Sequence, residues 1–263
     1  MAGVVLVKLG GSLITDKGRS ETARVPVIAR LAREISLAPR GLRLIVAHGS
    51  GSFGHVPAKA HGLAAGLHSA DQLSGVSLTQ ERAAYLHLLV FTALSAAGAA
   101  PFSIAPSSVV VSEGGTPVSL EVEPLLLALE RGLLPLAYGD VVMDRTQGVA
   151  ICSTEKLFSL LVATLRERGH PVERILWLGE TDGVYDATGW TIPLITAADF
   201  EQMRGALGGA AGTDVTGGML HRVETAVALT ELGVPSLIAN GLTEGLLARA
   251  LAGEEVPGTV VRP

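Results

Sequence analysis

Six consecutive residues, Val4 to Leu9, are apolar except for Lys8, and they run into Gly10-Gly11-Ser12. A short apolar run closed by glycines reads as a strand buried on both faces, the mark of a parallel sheet covered by helices. Parallel neighbours need long crossovers, usually helical, so this one run restricts the chain to strand–helix alternation. The next segment complies. Val25, Ile28, Leu31 and Ile35 share one face of a helix over Val25 to Leu37, with Pro26 in its first turn. Leu42 to Ala47 is the second strand. Lys8 is costly inside the first and needs an anionic partner.

The alternation continues. Helices are expected at Leu78 to Ala97, Pro124 to Arg131, Glu155 to Arg168, Ala197 to Gly205, Met219 to Leu232 and Thr243 to Leu251. Strands are expected at Phe102 to Ala105, Val109 to Val111, Leu134 to Ala137, Arg174 to Leu178, Pro235 to Ala239 and near Gly258 to Val261. Val141 to Met143 and Val149 to Cys152 flank a polar turn and predict a hairpin. Six glycines between Gly205 and Gly218 mark a flexible loop. The pattern predicts an α/β fold, a three-layer αβα sandwich around a mostly parallel central sheet. We expect one domain over residues 1–263, as two lobes sharing that sheet and divided near residue 150.

Composition narrows the function classes. The net charge is −5 with no block of Lys and Arg, and aromatics are only 4%, which argues against a nucleic-acid partner. The single cysteine, Cys152, excludes an internal disulfide and fits a reducing cytoplasm. Met1 to Val7 lacks the basic region of a signal peptide. Ala83 to Ser112 carries no charge, but His87, Pro101 and Pro106 interrupt it, so it reads as a core helix followed by a strand rather than a membrane span.

The second strand leads into His48-Gly-Ser-Gly-Ser-Phe-Gly-His55. Gly49, Gly51 and Gly54 let bare N–H groups converge, the arrangement that seats an anion. The segment matches G-x-G-x-x-G, but no acidic residue ends a following strand, since Asp71 lies outside any strand pattern. It also lacks the register of a serine nucleophile elbow, and no P-loop occurs. Similar equipment recurs at Lys8-Leu-Gly-Gly-Ser12 and Asp214-Val-Thr-Gly-Gly-Met219, and Lys17 and Asp140 each follow a strand closely. Lysines, converging N–H groups and an acid to hold the lysines or a metal are the parts phosphoryl transfer needs. His48, His55, His61 and His68 recur at near-heptad spacing without the cysteines or carboxylates of a zinc site, so no protein-held metal is expected. His87 reads as a core histidine, with the lining of an acceptor's hydrocarbon pocket as the other reading.

These motifs, with Tyr138-Gly-Asp-Val141 and Thr181-Asp-Gly-Val-Tyr-Asp186, resemble the motif series of the amino acid kinase superfamily, and within it the isopentenyl phosphate kinases. The resemblance implies ATP and Mg²⁺ as cofactors, isopentenyl phosphate as the small-molecule acceptor, and a cytoplasmic homodimer. It implies an acceptor site in the first lobe and a nucleotide site in the second. Lys8 would stabilise the migrating phosphoryl group, Lys17 would hold ATP phosphates, and Asp140 would orient both lysines. His55 would bind the acceptor phosphate beside Gly10, Gly11, Ser12, Gly49, Ser50, Gly51, Gly54 and Gly139. Asp182, Tyr185, Gly217, Gly218 and Arg222 would serve the nucleotide. The acceptor's tail would lie against the helix from Val76 to Leu94, with Ala84 or nearby small residues limiting its length. Three positions depart from the family pattern: Glu180, Glu155 in place of an aspartate, and Arg222 in place of a lysine. A fosfomycin-type kinase and a non-catalytic nucleotide sensor are the alternatives.

Overall fold

The computed structural model describes residues 3–16, 18–207 and 217–263. In chain order the elements are β1 (Val4–Leu9), α1 (Gly11–Ile14), α2 (Val25–Ser36), β2 (Arg43–His48), α3 (Gly51–Ala60), α4 (Leu73–Ala96), β3 (Pro101–Ser103) and α5 (Pro106–Val109). Then come β4 (Val110–Glu113), β5 (Thr116–Leu120), α6 (Glu123–Glu130), β6 (Leu134–Tyr138), β7 (Asp140–Asp144), β8 (Gly148–Cys152), α7 (Thr154–Glu167) and β9 (Val172–Gly179). The chain ends with β10 (Leu194–Ile195), α8 (Ala197–Leu207), α9 (Gly217–Thr230), β11 (Ser236–Asn240), α10 (Leu246–Leu251) and β12 (Thr259–Val261).

The central sheet has the order β10-β12-β11-β9-β1-β2-β6-β3 and is parallel except where β12 meets β11. Strand alternation divides the interior in two. Val4 and Leu6 of β1 face a core built with α6, α7 and α9, whereas Val5, Val7 and Leu9 face one built with α2, α4 and α10. This is the expected three-layer sandwich. Lys8 belongs with Val4 and Leu6, so its side chain enters the α7–α9 layer. No described helix is long and apolar enough to cross a membrane.

The central sheet takes β1, β2, β3 and β6 from before residue 150 and β9 to β12 from after it. The hairpin of β7 and β8 pairs antiparallel as anticipated, but it belongs to a separate four-stranded sheet, β5-β4-β7-β8. Asp144 ties its turns together by accepting the N–H groups of Gly114, Gly115, Thr146 and Gln147. The glycine segment after β2 is also more ordered than a loop: it forms the first turns of α3. Of the expected flexible loop from Gly205 to Gly218, residues 208–216 lie outside the described residues.

Candidate active site

Because β1, β2, β6, β9 and β11 run in one direction, their carboxyl ends open on one edge, where ligands sit in open α/β sheets. A cavity of about 790 Å³ occupies that edge. Its lining includes Lys8, Gly11, Ser12, the Gly49–Ser52 segment, Gly54 and His55 from the first half of the chain. Glu155, Glu180, Gly218 and Arg222 line it from the second half.

Glycine is required where α1 and α3 meet. A Cβ on Gly11 would stand 2.7 Å from the backbone of Gly51, and one on Gly49 would stand 2.8 Å from the Gly11 nitrogen. Two backbones are in direct contact there, and any side chain would push them apart. The contact fixes the start of α3 against the end of β1. Ser50 and Gly51 then offer N–H groups with no acceptor among the described residues. His55, one turn into the helix, is exposed on the cavity wall.

The opposite wall carries charge. Lys8 is 5% exposed, and its Nζ lies 5.9 Å from the ring centre of Trp177, its neighbour on β9. The ammonium bonds to the carboxylate of Glu155, at the start of α7. Arg222 of α9 is buried beside them, its guanidinium packed on Gly10 and Gly179, and its Nε has no hydrogen-bond partner among the described residues. Burial, helped by the Arg222 charge, outweighs the pull of Glu155 and brings the Lys8 ammonium down to about 8. For Glu155 burial acts upward, but Lys8 and Arg222 prevail and hold the carboxyl below its ordinary range. At neutral pH two buried cations therefore share one carboxylate, and the surplus positive charge faces an open cavity. An anion is the missing counterpart.

Several expected residues stand elsewhere. Asp140 lines the cavity, but its carboxylate accepts the N–H groups of Ser107 and Val141, so the acid holding Lys8 is Glu155 instead. Asp182 and Tyr185 do not line the cavity: the Asp182 N–H donates to the Tyr185 hydroxyl, and Asn240 donates to the Asp182 carboxylate. Gly10 supports Arg222 from behind, Gly139 sits in the lining, and Gly217 and Gly218 open α9. Lys17 and Asp214 lie outside the described residues. Ala84 faces outward, while Thr79 and Ala83, on the adjoining face of α4, line the cavity with Val56. His87 is a hydrogen-bonded core histidine and does not touch the cavity. Sequence reasoning missed Glu155 as an active-site acid and His221 as part of the lining. Lys8 within an apolar strand, and Glu155 where the family pattern has an aspartate, were the signals that an acid had to be near.

The family model described as the amino acid kinase family matches residues 3–240. The chain belongs to the amino acid kinase family. Among its relatives, isopentenyl phosphate kinase of Methanothermobacter thermautotrophicus is 33% identical over 270 residues, which is 97% of this chain and 98% of that one. Isopentenyl phosphate kinase of Haloferax volcanii is 36% identical over 259 residues, covering 98% of both. A solved X-ray structure of isopentenyl phosphate kinase matches with a TM-score of 0.81 and 30% identity, over 98% of this amino acid kinase and 99% of the other chain.

Proposed function

We propose that this amino acid kinase transfers the γ-phosphoryl group of ATP to isopentenyl phosphate, giving isopentenyl diphosphate and ADP, a step of isoprenoid biosynthesis. The full-length likeness to isopentenyl phosphate kinases supports the acceptor. The observation that carries the chemistry is the surplus positive charge of Lys8 and Arg222 over Glu155, facing the Ser50 and Gly51 N–H groups, which have no acceptor among the described residues. An oxygen of the acceptor phosphate attacks the γ-phosphorus, and the bond to the β,γ-bridging oxygen breaks. Negative charge is then crowded between two anions, and fixed cations stabilise it because they need no reorganisation during the reaction.

The roles follow the geometry. The Ser50 and Gly51 N–H groups and His55 hold the acceptor phosphate at the start of α3. Val56, Thr79 and Ala83 receive its hydrocarbon tail. Lys8 meets the migrating group, with Glu155 fixing the direction of its ammonium. Arg222 presents a planar fork to the nucleotide phosphates, where a lysine would be a point charge. Lys17 assists there, and Asp182 and Tyr185 serve the nucleotide from outside the cavity. Asp140 shapes the floor beside Gly139. No group of three or more His, Cys, Asp or Glu suited to a metal occurs among the described residues. In this reading Mg²⁺ arrives on the nucleotide, held chiefly by phosphate and water. Bound, it supplies further charge neutralisation.

The reading includes a first lobe for the acceptor and a second for ATP, in a cytoplasmic homodimer running in solution at about twice the 27.1-kDa chain mass. The deciding experiment offers Mg-ATP with isopentenyl phosphate, fosfomycin or acetylglutamate separately and measures ADP release. Turnover with isopentenyl phosphate alone is expected. Preference for fosfomycin would replace the acceptor, and ATP binding without turnover on any of them would favour a nucleotide sensor.

A further inference from the structure

Behind the glycine segment lies a row of side chains that the transfer chemistry leaves unused. His48 ends β2, His87 lies within α4 and Ser103 ends the edge strand β3. Both imidazoles are buried. His48 Nδ1 is 3.1 Å from the Gly49 carbonyl oxygen and His48 Nε2 is 3.2 Å from His87 Nδ1. His87 Nε2 is 2.8 Å from Ser103 Oγ. The Tyr138 ring packs on both, with centroids 4.4 Å from His87 and 5.8 Å from His48.

Elementary donor rules fix the direction of every bond. Burial holds His48 neutral, with its pKa lowered to about 4. Burial and the neighbouring His48 lower His87 to about 3. A neutral imidazole has one donor and one acceptor. A carbonyl only accepts, so His48 Nδ1 carries the hydrogen and its Nε2 accepts. His87 must then donate from Nδ1 and accept at Nε2, and the Ser103 hydroxyl donates to it. The chain runs one way, from Ser103 to the Gly49 carbonyl.

We propose that His48 and His87 are positioning residues for the acceptor phosphate: together they hold the Gly49 carbonyl turned into the core. No peptide bond among the described residues is cis. In a trans peptide the N–H points opposite to the C=O. Anchoring that carbonyl therefore aims the Ser50 N–H away from the imidazole, into the cavity that Gly49, Ser50 and Gly51 line. Donors fixed in advance bind an anion without first being ordered. The inference rests on the phosphate-acceptor reading above, but it concerns groups that never touch the phosphate.

The test joins spectroscopy to binding and kinetics on the full chain. Long-range ¹H–¹⁵N spectra at neutral pH should show Nδ1–H tautomers for both His48 and His87, and an Nε2–H tautomer on His48 overturns the proposal. Titration with inorganic phosphate should shift the Ser50 amide resonance in the parent. His48→Leu should weaken phosphate binding and raise the acceptor KM about tenfold, the equivalent of one hydrogen bond. The KM for ATP should stay within about twofold of the parent on the same scale. His48→Asn, whose amide can take the place of Nδ1–H, should recover most of the loss. If His48→Leu does not fold, His87→Leu serves, since it keeps the His48–Gly49 bond while removing the donor to His48 Nε2 and the acceptor of the Ser103 hydroxyl, and a smaller rise of the same kind is expected. Unchanged phosphate binding and KM in a folded variant overturn the proposal. A parent that binds phosphate at Ser50 but never phosphorylates isopentenyl phosphate defeats the substrate reading alone.

Discussion

Replacing Glu155 by Gln removes one charge and almost no volume from a site where three charges are buried together. Lys8, Glu155 and Arg222 are 5%, 7% and 9% exposed, so water screens them poorly. At an effective dielectric near 20, two unit charges about 4 Å apart attract by roughly 4 kcal/mol. Removing one partner of a buried pair typically costs about 3–5 kcal/mol, because the other charge stays behind. Here two cations would remain. The Lys8 ammonium, already brought down to about 8, would fall further and give up its proton more readily. We therefore expect E155Q to lose about 3 kcal/mol of stability and at least about 10²-fold in kcat/KM. Trp177, fully buried beside the Lys8 ammonium, gives the unfolding signal in urea by its fluorescence. The parallel variant is Asp140→Asn, whose side chain can still accept the Ser107 N–H; its effect should be several-fold smaller. If D140N abolished activity while E155Q stayed within about 1 kcal/mol and tenfold of the parent, Glu155 would not be the acid that holds Lys8.

Four further outcomes follow from the same geometry. The kcat/KM for ATP should fall as pH rises through about 8, because the Lys8 proton is needed to meet phosphate charge. Stability should move the other way: the folded pKa lies below the unfolded value of 10.5, so the unfolded chain binds more protons between the two and stability rises across that window. Ala83→Leu should fill the tail pocket and cut kcat/KM for isopentenyl phosphate by more than about tenfold. Ala84→Leu, on the outer face, should leave it alone, and equal kinetics for the two variants would remove the pocket from α4. Gly11→Ala should cost about 1–3 kcal/mol in urea unfolding, because its Cβ meets the Gly51 backbone at 2.7 Å.

The central strands were readable because burial on both faces leaves a direct trace: β1, β2, β9 and β11 are short apolar runs. Long-range choices left no such trace. Lys8 announced that it needed an acid, yet its partner lies 147 residues away, on a helix whose first-turn carboxylate looks like ordinary helix-dipole decoration. Asp140 sits nearer in sequence to the glycine motif, but backbone N–H groups claim its carboxylate. The start of α3 carried no helix pattern because Gly51, Gly54 and Pro57 are helix breakers by propensity. Packing overrides that preference, with Gly51 pressed on Gly11 and the Ser52 N–H bonded to Thr15. On the helix proposed for the tail, Ala83 lines the cavity and Ala84 does not. Ala84 lies about 100° around the axis from Ala83, enough to exchange cavity for solvent. The half-exposed β5, with Pro117 inside it, carried no strand pattern at all.

In the proposed reaction α3 seats one phosphate while Lys8 and Arg222 draw another toward it. Phosphorus NMR of the chain with Mg-ATP and isopentenyl phosphate, run beside His55→Ala, tests it most directly. The parent should build up a second, coupled pair of diphosphate resonances as isopentenyl diphosphate forms, and His55→Ala should need at least about tenfold more acceptor to do so. Diphosphate formed equally well by both proteins, or only inorganic phosphate released from ATP, would contradict it.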